Sequence, residues 1–164
     1  MTTREIPKII MIAVALLATA TFVSCFSHTA HFEYKGVSLK GWHRSEIVEF
    51  RVPPVEQAGY YIEEVGIRAS KDYPFQSLNL LVRQEIVSSK DKYRHLTMSD
   101  TISIPVYDSE GMPTGDGVNL RQYQVPLKTI KLQEGDSIQV TIRHNMQAPT
   151  IPGISDVGMR VVEN

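Results

Sequence analysis

The feature that most constrains this chain is an alternation of apolar and polar residues with a period of two, sustained from Ile47 onward. Val48, Phe50 and Val52 alternate with Ile47, Glu49 and Arg51, and Pro53-Pro54 stops the run. Val65, Ile67 and Ala69 alternate with Glu64, Gly66 and Arg68. Leu78, Leu80 and Val82 begin a run that continues through Ile86. Ile102, Ile104 and Val106 form another, as do Tyr123, Val125 and Leu127. Ile138, Val140 and Ile142, then Val157, Met159 and Val161, complete the set. Successive strand side chains point to opposite faces, so each run can bury one face and solvate the other. No window after residue 25 carries a sustained 3.6-residue apolar stripe. Ser88–Leu96 is short and charged, and supports at most a helical turn.

The connections carry turn chemistry. Asp108-Ser109-Glu110-Gly111 and Glu134-Gly135-Asp136 are tight-turn sequences. Pro105 and Pro126 fall inside strand runs, and proline cannot donate to a ladder, so both are expected at sheet edges or bulges. Half-buried strands joined by turns, without helices, predict an all-β, antiparallel two-sheet β-sandwich of jelly-roll-like kind over residues 41–164.

The N-terminus is of a different nature. Arg4 and Lys8 precede the uncharged run Ile9–Ala18, which leads through Phe22-Val23-Ser24 to Cys25, the single cysteine. A basic start, an apolar stretch and a small residue at a processing point make an export signal over residues 1–24. The stretch is shorter than the about 20 apolar residues a membrane span needs. It resembles a bacterial lipoprotein signal, whose lipobox places small or aliphatic residues before a cysteine. That resemblance implies a diacylglyceryl thioether on Cys25, with palmitate among its acyl chains, as the membrane anchor. A lone cysteine has no partner for an internal disulfide, so lipid attachment accounts for both its uniqueness and its place. Residues 25–40 read as a tether. The chain has 164 residues and net charge −1. Arg4, Lys8 and Glu5 leave with the signal, so the mature part stands near −2. Such a balance excludes an electrostatic footprint for nucleic acid and a polybasic segment for anionic lipid.

Catalysis and metal binding find no constellation. Hydrolysis would need a nucleophile, a base and an orienting group. His28, His31, His43, His95 and His144 stand in no such context and read as surface or edge residues. His28 and His31 have no Cys, Asp or Glu between them and read as tether, not ligands. Asp108, Glu110 and Asp116 surround a Gly-rich loop, but the bidentate glutamate of a calcium loop is missing, so an acidic turn is expected. No catalytic residue, metal or cofactor is expected. Trp42, Tyr60, Tyr61, Tyr73 and Phe75 are either core aromatics or a platform. Trp42, Tyr73 and Phe75 are the candidates for contact with a partner.

Several fragments, in order behind the lipobox, resemble the gliding-motility lipoprotein GldH family of the Bacteroidota. They are Tyr34 before Gly41-Trp42-His43, Asp72-Tyr73-Pro74-Phe75 before Ser77-Leu78-Asn79-Leu80, Asp100-Thr101, the loop Gly111–Gly117, and Gly153-Ile154-Ser155-Asp156-Val157-Gly158-Met159-Arg160. The resemblance implies an exported, non-enzymatic envelope lipoprotein linked with the motility and secretion machinery. It would act there as a scaffold or partner-binding subunit. A glycan- or small-ligand-binding sandwich is the alternative. Phe26–Ala30 holds no acid, unlike the sorting signals of surface lipoproteins, so resemblance to those rules places the domain in the periplasm, on the outer membrane.

Overall fold

The computed structural model describes residues 28–38, 40–91 and 95–164. Strands occupy Thr29–Gly36 (β1), Trp42–His43 (β2), Val48–Val52 (β3), Gly59–Ser70 (β4) and Ser77–Val87 (β5). They continue at His95–Pro105 (β6), Leu120–Leu132 (β7), Ser137–His144 (β8), Thr150–Ile151 (β9) and Ile154–Glu163 (β10). No helix occurs among the described residues.

One four-stranded sheet runs β1-β10-β4-β7 and the other β3-β8-β5-β6, while β2 and β9 pair separately. All pairings are antiparallel. The chain changes sheet at every long connection except the β5–β6 hairpin. This strand order is that of a jelly roll. The expected two-sheet sandwich is therefore the observed fold.

The predicted apolar faces meet between the sheets. Val48, Phe50 and Val52 lie in register with Ile142, Val140 and Ile138. Leu80, Val82, Val65, Ile67, Val157, Met159 and Val161 are buried with them. Pro105 ends the edge strand β6 and Pro126 sits in the edge strand β7, beside a bulge where the register shifts between Glu63 and Glu64. The bulge flips the phase of β7, so Ile130 and Leu132 join the core.

Three expectations need correction. The tether does not run to residue 40, because residues 29–36 form the edge strand β1 and the sandwich begins there. Its alternation is inverted. His31, Glu33 and Lys35 pair with the inward-facing Val161, Met159 and Val157, whereas Phe32 and Tyr34 lie on the outer face. β6 starts at His95, which leaves no helical turn at residues 95–96. His144 is fully buried, with its ring 5.3 Å from Trp42 in a T-shaped contact, so it is no surface histidine.

Candidate interaction surface

Of the residues expected at a partner site, two are architecture. Trp42 is 0% exposed and its Nε1 donates to the Glu46 carbonyl at 3.0 Å. Tyr73 is 1% exposed and its hydroxyl donates to the Ser77 carbonyl at 2.9 Å. Gly153 has φ of 80° and backs onto the Tyr73 backbone, where a Cβ would meet the Tyr73 nitrogen at 2.3 Å. These side chains lock the β2–β9 corner and the entry to β5, so neither offers a face to a partner. Phe75 alone of the three is partly exposed, packed edge-on to Tyr73. Cys25 lies outside the described residues.

The Gly-rich loop is spent on itself. Asp108 Oδ1 accepts from the backbone N–H groups of Glu110 and Met112 at 2.9 and 2.8 Å. That is the hydrogen bonding of an Asx turn, as the acidic-turn reading expects. Among the described residues no group of His, Cys, Asp and Glu could hold a metal ion. Beside the loop, a groove of about 850 Å³ is lined by Arg68, Thr114, Asp116, Gln122 and Gln124.

On the outer face of the β1-β10-β4-β7 sheet, Tyr34 lies over paired Gly158 and Gly66, where Cβ atoms would meet its ring carbons at 2.6 Å and its hydroxyl at 2.2 Å. Arg68 covers the same ring at 4.3 Å from its centroid. Between the glycine floor and the guanidinium, little of that ring is left for a sugar to stack on. Phe32, 58% exposed, meets it edge-on.

Sequence reasoning missed a polar cluster inside the sandwich. Glu63 is fully buried and accepts from Gln84 Nε2 at 2.6 Å across the sheets. Burial is the main cause that raises its pKa to about 7, opposed by the Gln84 hydrogen bond and Lys128 and reinforced by Asp100. Lys128 pairs with Asp100 at the β6–β7 side. A charge at an inward position breaks no alternation strongly enough to be noticed in the sequence. Glu63 follows Tyr60-Tyr61-Ile62 and precedes Glu64, and only the β4 register shows which acid points inward.

The four sheet edges differ. In β1, Lys35 Nζ donates to the Glu49 carbonyl of β3 at 2.6 Å and bridges the two edges. The five-residue β3 ends at Pro53-Pro54. In β7, Gln122 exchanges both backbone hydrogen bonds with Asp116, and Pro126 follows. Prolines, edge lysines, bulges and covering loops are how edges are kept from pairing. Among the described residues β6 has none of these between Thr97 and Ser103, and its one inward charge, Asp100, is paired with Lys128.

Comparison with known proteins gives the chain its relatives. Residues 29–161 match the GldH lipoprotein family. The chain belongs to that family. It is 27% identical over 155 residues to the gliding motility lipoprotein GldH of Flavobacterium johnsoniae, covering 90% of this chain and 93% of that protein. A solved family GH115 4-O-methyl-α-glucuronidase overlaps with a TM-score of 0.48 at 12% identity, over 85% of this chain and 18% of that one. The CBM22-2 xylan-binding domain of Paenibacillus barcinonensis Xyn10C overlaps with a TM-score of 0.41 at 8% identity, over 84% of this chain and 91% of that one. Overlaps of this extent say nothing about ligand or activity. The GldH match makes this an envelope lipoprotein associated with gliding motility.

Proposed function

We propose that this GldH-family protein is a non-enzymatic scaffold or partner-binding subunit of the gliding and secretion machinery, anchored by lipid on Cys25. Its domain faces the periplasm from the outer membrane. The observation that carries the partner-binding part is β6, a long sheet edge with no proline, lysine, bulge or covering loop between Thr97 and Ser103 among the described residues, its one inward charge, Asp100, being paired with Lys128. The anchor gives the domain a direction. His28 lies at the end of the sandwich where its carbonyl accepts from Glu163, so lipid three residues earlier turns that end toward the membrane. Trp42, Tyr73 and the Gly-rich loop then lie at the far end, and β6 runs between the two. The glycan-binding alternative finds less support, because the outer-face Tyr34 is covered by Arg68 and backed by glycine.

Labelling with a fatty-acid analogue tests the anchor. Cys25→Ser should lose the label while the domain stays folded, and equal label in both proteins would contradict lipidation there. Protease shaving of intact cells tests the placement. The domain should survive with a periplasmic control, and digestion without loss of the control would put it outside. Affinity purification of the tagged full chain from membrane extracts should recover envelope proteins that an equally tagged, unrelated lipoprotein does not.

A further inference from the structure

We propose that β6 is the docking edge, and that its occupant is an extended partner segment bearing an acidic and an apolar side chain two residues apart. This rests on the partner-binding reading above. The Asn145 N–H donates to the Asn79 carbonyl at 2.7 Å, so the odd-numbered residues of β5 turn their backbone groups toward β8. At the other end of the same ladder, the Val106 N–H donates to the Gln76 carbonyl at 2.9 Å, which sets the even-numbered positions as the β5–β6 bonds. Thr97, Ser99, Thr101 and Ser103 therefore aim N–H and C=O away from the sheet. No backbone hydrogen bond from a loop reaches them among the described residues. Their side chains are small, uncharged and exposed, and the register with β5 is unbroken over the whole strand. Asp100, the charged residue within this stretch, points inward and is neutralised by Lys128.

The outer face beside this edge supplies the chemistry of the occupant. A shallow groove of about 470 Å³ has Leu81 and the exposed Ile47 in its lining, with Arg83 and Arg143. Neither arginine has a carboxylate partner among the described residues. Arg83 lies opposite Ser99 and Leu81 opposite Thr101. Ser99 is short enough for a guanidinium to reach over it to a carboxylate on an added strand, and an apolar residue two positions away packs on the methyl of Thr101, the residue opposite Leu81. A second copy of this chain fits less well. Self-pairing centred on Ser99 turns two Arg83 side chains toward each other with no carboxylate between them, where like charges destabilise.

The test uses the full chain in detergent and a synthetic peptide alternating threonine with glutamate and valine, beside the same peptide with lysine for glutamate. The glutamate peptide should slow amide exchange at Thr97, Ser99, Thr101 and Ser103, and the lysine peptide should bind at least about tenfold more weakly. Thr101→Pro removes an outward N–H without touching the β5 ladder and should abolish binding. Arg83→Glu, which leaves the backbone alone, should reverse the peptide preference. Equal binding of both peptides, protection on another edge, or no protection with saturating peptide would overturn the proposal. So would disulfide-linked dimers of Ser99→Cys at β6, which make a second copy the occupant. If Thr101→Pro keeps its envelope partners in membrane extracts, the edge is wrong and the partner-binding reading stands. If the wild-type chain holds no partners there, that reading itself fails.

Discussion

The two open sides of the sandwich are built in opposite ways. At the β1–β3 side, Lys35 spans from one sheet to the Glu49 carbonyl of the other, and its ammonium stands 5.2 Å from the Phe50 ring centroid. His31 packs edge-on to the same ring at 6.3 Å. At the β6–β7 side the interior holds Glu63, Gln84, Asp100 and Lys128, and the outward backbone groups of Thr97, Ser99, Thr101 and Ser103 in β6 have no backbone partner among the described residues. One side is closed by a wall around Phe50, rimmed by His31, Glu33 and Lys35, with its edges tied together. The other places a fully buried acid, Glu63, between the sheets and keeps a free edge. Exposed edges invite pairing with other chains, so the open one is where function is to be sought.

The largest expected effect separates the two sides by packing. Phe50→Ala should cost about 3–5 kcal/mol, because it empties the centre of the wall. Met98→Ala on β6 is only half-buried and should cost under about 2 kcal/mol. Equal losses in urea unfolding would erase the difference between the sides.

Next comes the pH dependence of the polar side. The folded state raises the Glu63 pKa from 4.5 to about 7, so folding favours its protonated form. Its contribution is fully present below the unfolded pKa and is lost as pH rises through about 7, a change on the order of 3 kcal/mol. Burial lowers the pKa values of His31 and His144, and their contribution has the opposite sign, lost as pH falls below 6.5. The decisive quantity is therefore the difference between wild type and Glu63→Gln. That difference should shift toward the variant between pH 5 and 8, and a pH-independent difference would remove Glu63 from the account.

A smaller effect probes how β1 is held. Gly158→Ala puts a methyl into the Tyr34 ring and should cost about 1–3 kcal/mol, most of it recovered in the Tyr34→Ala background. An additive double mutant would mean the glycine floor does not carry the ring. Smallest of all, Lys35→Ala should cost about 0.5–1 kcal/mol and speed amide exchange in β3, since it frees one carbonyl and unties the edges.

These regions also differ in how far the sequence reveals them. β3, β4, β5, β8 and β10 are legible because apolar residues fall on every second position of a strand buried on one side. β1 is not, because its inward positions hold His31, Glu33 and Lys35 and its apolar residues face out. The second half of β7 is lost at a bulge, which changes the phase without any mark in composition. Trp42 and Tyr73 mislead in the other direction. Their family motifs are visible in the sequence, but the same residues that suit a binding platform also suit a locked corner, and burial decides between them. The open edge could not be read at all, because which N–H groups face outward depends on the register of three strands.

One measurement tests the asymmetry most directly. A photoreactive residue placed at Ser99 on β6, and separately at Glu49 on β3, in the full chain within living cells reports which side meets another protein. Cross-linked adducts are expected from Ser99, lost with Cys25→Ser, and none from Glu49. Adducts from Glu49 alone, or equally from both sites, would contradict that asymmetry.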